Sequence, residues 1–237
     1  MPKLSVIMIV KNEEGCLADC LTSVCAVADE IVVVDTGSTD DTIAIAKSFD
    51  ATVVEMKWED DFAVARNRSI AAATGDWLLH LDADEVLDDD GMLRIRQLVD
   101  NDGEGADAVE LVLANYCDDA RAWRWVPVAK GDDRARGFSG YLPVGLLRLF
   151  RNGQGYEYRE PVHENITESV VEAGGVIHSL DVVIHHYGYE PAAEKNQAKA
   201  DLYLRIAREK VAAHPKDLKA LADFAEQVNA CGLVADA

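Results

Sequence analysis

The sequence is short of basic residues. Lys and Arg total 23 against 43 Asp and Glu, which gives the 237-residue chain a formal net charge of −20 at pH 7. This sign argues against a protein that holds a nucleic-acid backbone or an anionic membrane by electrostatics alone. We therefore predict no nucleic-acid partner. If the chain binds a phosphate-bearing ligand, we expect a cation to mediate the contact.

Long hydrophobic runs and cysteine pairs are also missing. No segment approaches the roughly 18 continuous apolar residues of a transmembrane helix, so we predict no transmembrane segment. The apolar run at residues 4–10 is short and lacks a basic leader, which favours a strand over a signal peptide. The five cysteines show neither a CxxC pair nor zinc-type spacing. We therefore predict free thiols and a cytoplasmic location.

The first half of the chain alternates apolar runs with amphipathic stretches. Strands are predicted at residues 4–10, 30–35, 51–55 and 76–81, and helices at 13–26, 40–48 and 62–73. Strands that alternate with helices at this spacing form βαβ units and a parallel sheet. The first two strands are almost wholly apolar, as is typical of strands covered on both faces. We expect the third strand at an edge of the sheet.

The pattern changes after residue 100. Short strand-like pieces at 108–113, 145–150 and 182–186 lie among loops rich in Gly, Asp and Arg. We interpret this half as an irregular mixed sheet that completes the same domain. From residue 190 the pattern is helical, with helices predicted at 192–213 and 217–230. The fold class is therefore α/β, with helices on both faces of the sheet and a short C-terminal helical extension.

Polar residues follow three of the predicted strands. The first strand is followed by Lys11-Asn12-Glu13, the second ends in Asp35, and the fourth runs into Asp82-Ala83-Asp84. In an open α/β sheet, ligands bind outside the carboxyl ends of the strands. We therefore expect these three groups, although far apart in sequence, to meet at one rim of the sheet.

Two of these residues form a carboxylate pair. Asp82 and Asp84 point the same way on an extended chain, because side chains alternate with a period of two. A hard divalent cation, Mg²⁺ or Mn²⁺, would relieve their repulsion and bridge to a diphosphate. A solvated acidic turn is the alternative, since residues 76–107 contain eleven acidic and two basic residues.

In combination, these segments are specific. The stretches LSVIMIVKNEEGCLADCLTSV, DEIVVVDTGSTDDT and WEDDFAVARNRSIAAATGDWLLHLDADEVL resemble the family 2 glycosyltransferases, inverting enzymes with the GT-A fold. The resemblance covers residues 3–90 and extends more loosely through REPVHE at 159–164 and HHYGY at 185–189. It implies a glycosyltransferase domain at 1–188. The segment HPKDLKALADFAEQVNACG resembles the start of a tetratricopeptide repeat, which implies a separate helical unit at 189–237.

The resemblance assigns a nucleotide-sugar pocket to the rim. It implies that Asp35 holds the base or ribose of a nucleotide, UDP by default, and that Asp82 contacts the ribose or donor sugar. Arg66 would approach the nucleotide or its phosphates, although an ion pair with Glu59 or Asp60 is an equal alternative. The remaining residues expected to line this pocket are Val10, Lys11, Asn12, Glu13 and Ala83.

The resemblance also implies a metal site and a base. Asp84 would ligate Mn²⁺ or Mg²⁺, with His186 as a further metal or diphosphate contact and His185 not excluded. Inverting transfer is a single displacement, so a carboxylate must take the proton of the acceptor hydroxyl. Glu164 is the candidate base and Glu160 the second choice.

The sequence thus predicts a metal-dependent inverting glycosyltransferase that uses a nucleoside-diphosphate sugar, with UDP-sugar as the default donor. The acceptor stays open between protein side chains, lipid-linked sugars and cell-envelope glycans. Nucleotidyl transfer is disfavoured because residues 11–14 (KNEE) are neither glycine-rich nor basic. The other alternative is a non-catalytic binding module that carries a helical tail for a partner protein.

Overall fold

The computed structural model describes residues 1–188 and 193–230. Nine strands in this part are β1 Leu4–Val10, β2 Glu30–Asp35, β3 Thr52–Glu55, β4 Trp77–His80, β5 Glu85–Leu87, β6 Ala108–Cys117, β7 Val126–Pro127, β8 Gly140–Arg151 and β9 Ile177–His186. The α-helices are α1 Leu17–Val24, α2 Thr42–Ser48, α3 Phe62–Ala72, α4 Asp89–Asp100, α5 Thr167–Glu172, α6 Ala193–Ala213 and α7 Leu218–Ala230.

The strands form one mixed sheet in the order β3-β2-β1-β4-β8-β6-β9-β5, with β7 paired to β8. The four strands β3, β2, β1 and β4 are parallel to one another. Beyond them, β8 is antiparallel to both β4 and β6, while β9 is parallel to β6. The predicted parallel half, the mixed second half and the edge position of β3 are all confirmed.

Helices cover both faces of the sheet. On one face, side chains of α1 and α4 such as Leu21 and Ile95 pack in a core with Met8 and Leu79. On the other face, Ala63 of α3 belongs to a second core cluster with Ile7, Leu78, Phe150 and Tyr158. Burying a large aliphatic side chain contributes about 1.5–3 kcal/mol, so the apolar strands are stabilised from both sides. The α/β class is confirmed.

The helix bounds differ from the predicted ones where polar side chains bind loops. The predicted helix 13–26 begins only at Leu17: residues 13–16 form a turn closed by Cys16 N and Leu17 N on Glu13 O, while the Asn12 and Glu13 amides bind side chains of residues 38–42. Helix α4, absent from the prediction, begins where the Asp88 side chain accepts a hydrogen bond from Gly91 N at 2.8 Å. Three strands are longer than predicted: β6 and β9 have ten residues each and β8 has twelve.

The C-terminal helices pack against the start of α3. Arg205 of α6 forms an ion pair with Asp60 at 2.9 Å, and the Tyr203 ring lies edge-on to Phe62 at 5.5 Å between centroids. Among the described residues, no helix is both long and apolar enough to cross a membrane. Residues 189–192 and 231–237, which include the last residue of HHYGY and the fifth cysteine, lie outside the described residues. The four described cysteines are free thiols.

Candidate active site

Two loops at the carboxyl rim of the sheet bind each other, and we call residues 11–14 and 35–42 the paired loops. Asn12 has a left-handed backbone (φ 57°). Its backbone N–H donates to Ser38 Oγ at 2.9 Å, and its side-chain Oδ1 accepts from Thr39 N at 2.7 Å. Glu13 N donates to Thr42 Oγ1 at 2.7 Å. The first and second strands therefore end in one cross-linked rim.

Asp35 lies in the floor of these loops and is 2% exposed. Its Oδ2 accepts hydrogen bonds from the amides of Gly37 and Ser38, each at 2.9 Å. Its Oδ1 is buried and has no hydrogen-bond partner in the protein. A buried carboxylate oxygen without a donor is costly, so Asp35 Oδ1 is a candidate acceptor for a ligand.

Three other residues expected in the pocket differ in whether their side chains or only their main-chain atoms reach the rim. The side chains of Val10 and Ala83 are buried in the hydrophobic core, so they reach the rim through their main chain. The Val10 carbonyl accepts from Thr36 N at 3.0 Å. Lys11 is exposed at the rim.

Arg66 connects two acidic residues that are distant in sequence. Its Nη2 donates to Asp82 Oδ1 at 2.9 Å and its Nε donates to Glu164 Oε1 at 2.7 Å. The alternative ion pair between Arg66 and Asp60 is not observed, because Asp60 pairs with Arg205. The Arg66 guanidinium is buried, and its Nη1 has no hydrogen-bond partner in the protein. Arg66 Nη1 is therefore a candidate cationic donor for a ligand at the rim.

A second buried arginine supports the same carboxylates. Arg148 on β8 binds Glu85 Oε1 at 2.5 Å and lies 3.5 Å from Asp82 Oδ2. The other Glu85 oxygen accepts from Asp82 N at 2.9 Å, which fixes the turn after β4. Together with Arg66 and Glu164, these residues form what we call the arginine cluster. His80 packs beside it, with Nδ1 2.7 Å from the Tyr158 hydroxyl.

The cluster shifts the pKa values of its members. Burial alone would raise the pKa of Asp82, but Arg66 and Arg148 outweigh it and hold this pKa well below its usual range. A third of the Asp82 side chain is exposed, so water screens part of that attraction. Burial raises the pKa of Glu85 to about 7 against the opposing pull of Arg148. Burial and both arginines lower the pKa of His80, which keeps it neutral.

Asp84 faces His186 across the rim. The His186 Nε2 lies 3.1 Å from Asp84 Oδ2, and its Nδ1 lies 2.7 Å from Asn115 Oδ1. The Asn115 amide nitrogen donates to Leu142 O at 3.2 Å, which turns the amide oxygen towards His186. Because Nδ1 then carries the ring proton, Nε2 and the carboxylate face each other as two potential ligands for a proton or a cation.

The pKa of His186 agrees with this arrangement, and so does the different environment of the adjacent His185. Burial disfavours the charged imidazole, but Asp84 outweighs it and raises the pKa of His186 above its ordinary value. His185 is buried and its Nδ1 lies 3.0 Å from the Tyr116 hydroxyl. The other nitrogen of His185, Nε2, lies 3.8 Å from Asp88, so His186 rather than His185 faces Asp84.

The donor set fits a hard cation bound together with a ligand. In the described ranges 1–188 and 193–230, no group of three or more His, Cys, Asp or Glu side chains forms a complete metal cage. The pair Asp84 and His186 would supply one oxygen and one nitrogen ligand to a bound cation. Mg²⁺ and similar ions commonly bind through one or two carboxylates and complete their shell with phosphate oxygens and water.

The two candidate bases lie in different surroundings. Glu164 belongs to the arginine cluster and its side chain is 15% exposed. Glu160 instead pairs with Lys210 Nζ at 2.6 Å and lies 3.8 Å from Lys219 Nζ. The structure thus brings Glu164 to the rim, whereas the ion-pair partners of Glu160 are on the C-terminal helices.

The sequence model of "Glycosyl transferase family 2" matches residues 5–153, which is more than half of the chain. The chain belongs to glycosyltransferase family 2. It is 34% identical to a TPR repeat-containing protein of Synechococcus elongatus over 92% of this chain and 50% of that protein. It is 26% identical to the glycosyltransferase SunS of Bacillus subtilis over 96% of this chain and 50% of SunS. The chain therefore spans about half the length of these curated relatives.

Solved structures of glycosyltransferases share the fold at low sequence identity. Staphylococcus aureus TarS 1–349 in complex with UDP has a TM-score of 0.57 and 17% identity, and the match covers 96% of this chain and 71% of that one. Mycobacterium tuberculosis glucosyl-3-phosphoglycerate synthase, solved with Mn²⁺ and UDP, has a TM-score of 0.55 and 20% identity, covering 87% and 78%. The expected GT-A fold is confirmed.

Sequence reasoning missed three polar residues of this site: Asn115, Arg148 and Tyr158. A signal existed for Arg148, because an arginine inside the apolar strand GLLRLFR is seldom buried without a partner. Asn115 lacked such a signal, since its role follows from the pairing of β6 with β9, which sets it opposite His186. His80, to which the sequence gave no role, packs against the arginine cluster.

Proposed function

We propose that this chain is a metal-dependent inverting glycosyltransferase that moves a sugar from a UDP-sugar to an acceptor hydroxyl. The observation that carries the proposal is a pair of buried polar atoms at one rim, Asp35 Oδ1 and Arg66 Nη1, that no protein group satisfies. One is an acceptor and the other a cationic donor. A nucleoside diphosphate supplies a partner for each. An N–H of the base or an O–H of the ribose can donate to Asp35, and a phosphate oxygen can accept from Arg66.

The paired loops form the nucleotide side of the proposed pocket. Asp35 accepts a hydrogen bond from the base or ribose, and the main chain around Val10, Asn12 and Glu13 lines the same cavity. Asp82, which keeps a third of its side chain exposed, contacts the ribose or the donor sugar. Ala83 contributes its backbone, and Lys11 lies beside the opening.

Asp84 and His186 hold the divalent cation, Mn²⁺ or Mg²⁺. Once bound, the cation acts as a Lewis acid that neutralises charge on the departing diphosphate. Family membership supports the proposal, and so does the Mn²⁺ in the complex of the mycobacterial synthase. Arg66 donates to the same phosphates through its unpaired Nη1 and thereby adds positive charge in a strongly acidic chain.

Glu164 acts as the general base. Arg66 holds its Oε1, which orients the carboxylate and leaves Oε2 for the acceptor hydroxyl. As Glu164 takes the hydroxyl proton, the acceptor oxygen bonds to the anomeric carbon and the bond from that carbon to the diphosphate oxygen breaks. A single displacement of this kind inverts the anomeric configuration.

The wider assignment has three further parts. The glycosyltransferase domain comprises residues 1–188, and residues 189–237 begin a tetratricopeptide-type unit, in line with the name of the Synechococcus relative. The protein acts in the cytoplasm. Its acceptor is a protein side chain or a cell-envelope glycan, with the repeat-like helices favouring a protein slightly.

A thermal-shift panel tests the donor pocket. UDP, GDP, CDP and TDP are each added with and without Mn²⁺ to the wild type, Asp84→Ala and Asp35→Ala. A ligand that binds only the native state raises the melting temperature by mass action. We expect UDP with Mn²⁺ to stabilise the wild type, Asp84→Ala to lose the metal-dependent part, and Asp35→Ala to bind UDP at least about tenfold more weakly.

The panel also contains results that contradict the proposal. An unchanged UDP shift in Asp84→Ala would remove that residue from the metal site. If no nucleotide stabilises the wild type with any cation, the nucleotide-sugar pocket is wrong and the binding-module alternative gains support.

A further inference from the structure

The loop that carries Glu164 has an unusual backbone. Residues 159–165, which we call the Glu164 loop, are closed at their base by two hydrogen bonds between Arg159 and Asn165, each 3.1 Å. Within the loop, Glu160 has φ 79° and His163 has φ 55°. Non-glycine residues persist in this left-handed region only where the surrounding structure holds them.

The C-terminal helices hold these same two residues. Lys210 of α6 binds Glu160 Oε2 through its ammonium group at 2.6 Å. The side-chain amide of Gln227 on α7 donates to Nε2 of His163 at 2.9 Å. Each left-handed residue of the Glu164 loop therefore has a partner on a helix that follows the catalytic sheet in sequence.

The two helix residues are withdrawn from water. The Lys210 side chain is 10% exposed and Gln227 is 6% exposed. Lys and Gln are seldom buried without a polar partner. Loss of either contact therefore removes a polar partner from a buried side chain as well as releasing the loop.

The loop is held by a third element on its other side. Phe62 N, at the start of α3, donates to the carbonyl of Pro161 at 3.0 Å. The same helix carries Arg66, which binds Glu164 four residues after the strained Glu160. The Glu164 carboxylate is thus located by α3 on one side and by α6 and α7 on the other.

We propose that α6 and α7 position the Glu164 loop, with Lys210 and Gln227 as positioning residues for the base. The inference rests on the proposed function, in which Glu164 takes the acceptor proton. It also gives Glu160 a positioning role, as the residue of the loop that pairs with Lys210. The contacts of Lys210 and Gln227 described above are with the Glu164 loop and not with the paired loops, where the base and ribose bind. Docking of the C-terminal helices therefore controls turnover and leaves donor affinity unchanged.

The test compares Lys210→Met and Glu160→Gln with a matched control, Arg205→Met. Arg205 lies on the same helix and pairs with Asp60 in the catalytic domain, outside the Glu164 loop. Release of UDP from UDP-glucose and UDP-N-acetylglucosamine gives kcat and KM for each variant. Hydrogen exchange of the amides of residues 159–165 reports on the loop itself.

We expect Lys210→Met and Glu160→Gln to lower kcat by about tenfold at unchanged KM, since small displacements of a reacting group are costly. The double variant should be no worse than either single one, and Lys210→Arg should recover most of the turnover. Amides of the loop should exchange about tenfold faster in Lys210→Met than in Arg205→Met. The control should keep wild-type turnover.

Two results overturn the inference, and a third overturns the proposed function on which it rests. Equal loop exchange in Lys210→Met and Arg205→Met rejects the positioning role, whatever the turnover. A Glu160→Gln variant far slower than Lys210→Met makes Glu160 a reacting group in its own right. If the wild type itself releases no UDP, the proposed function fails, and the exchange data alone then decide whether the helices hold the loop.

Discussion

The paired loops and the arginine cluster occupy neighbouring parts of one rim but are stabilised by different means. The paired loops depend on hydrogen bonds between main chain and short polar side chains, such as Asn12 with Thr39 and Glu13 with Thr42. The arginine cluster depends on two buried guanidinium groups set among three carboxylates. Neutral hydrogen bonds contribute modestly one by one, whereas a buried charge is costly as soon as its partner is lost.

This difference separates the two tasks of a glycosyltransferase. A loop fixed by hydrogen bonds between main chain and side chains suits the nucleotide, which needs a shaped pocket with a few aligned groups. A cluster of buried charges suits the reacting end, where charge moves during transfer and fixed charges are effective in the absence of water. Substitutions of Glu164, Arg148 and Glu85 in the cluster should therefore act on turnover or folding, whereas a substitution of Asp35 in the paired loops should act on nucleotide affinity.

The largest effect is expected for Glu164→Gln. The amide keeps the shape of the side chain and can still bind Arg66, but it cannot take the acceptor proton. We expect turnover of UDP-sugar to fall by about 10²- to 10⁴-fold, the usual contribution of a general base, with UDP affinity unchanged. UDP release and isothermal titration with UDP measure the two quantities.

Loss of UDP affinity in parallel with turnover would instead make Glu164 part of the nucleotide pocket. The matched control is Glu157→Gln, which changes an exposed carboxylate of the same segment that pairs with Arg159 on the surface. Its turnover should equal that of the wild type.

The second largest effect is expected in the free energy of unfolding, for which we compare substitutions of two arginines of β8. Arg148→Met leaves Glu85 buried without its partner, and we expect the free energy of unfolding to fall by about 3–5 kcal/mol. Arg151→Met removes a partly exposed guanidinium that pairs with Asp102, donates to the Ala106 carbonyl and stacks on the Trp77 ring, and it should cost about 1–2 kcal/mol. Urea unfolding of both variants measures the difference.

A double variant sharpens this comparison. Because replacing both members of a buried pair with apolar residues is often neutral, Arg148→Met with Glu85→Leu should recover most of the lost stability. If Arg148→Met proves no more costly than Arg151→Met, the cluster does not depend on buried charge.

The two regions also differ in how far the sequence predicts them. The bounds of β1 and β2 follow from local apolar runs, and the residues after these strands were correctly expected at one rim, since parallel strands share that rim. The cluster could be predicted only in part. Arg148 reaches Glu85 and Asp82 through the antiparallel pairing of β8 with β4, and no local pattern encodes that register. Short-range hydrogen-bonding chemistry can be inferred from sequence spacing, whereas long-range charge pairing cannot.

The smallest effect is expected in the paired loops and tests how Asn12 stabilises them. Asn12→Gly removes the hydrogen bond to Thr39 N but tolerates a φ of 57°, so we expect a loss of about 1 kcal/mol in unfolding free energy. Asn12→Ala adds the steric cost of a β-carbon in the left-handed region, for a total loss of about 2 kcal/mol. Urea unfolding gives these values and titration with UDP gives the accompanying loss of affinity. Equal losses in the two variants would show that the side-chain hydrogen bond alone matters, and a loss as large as that of Arg148→Met would remove the distinction between the two regions.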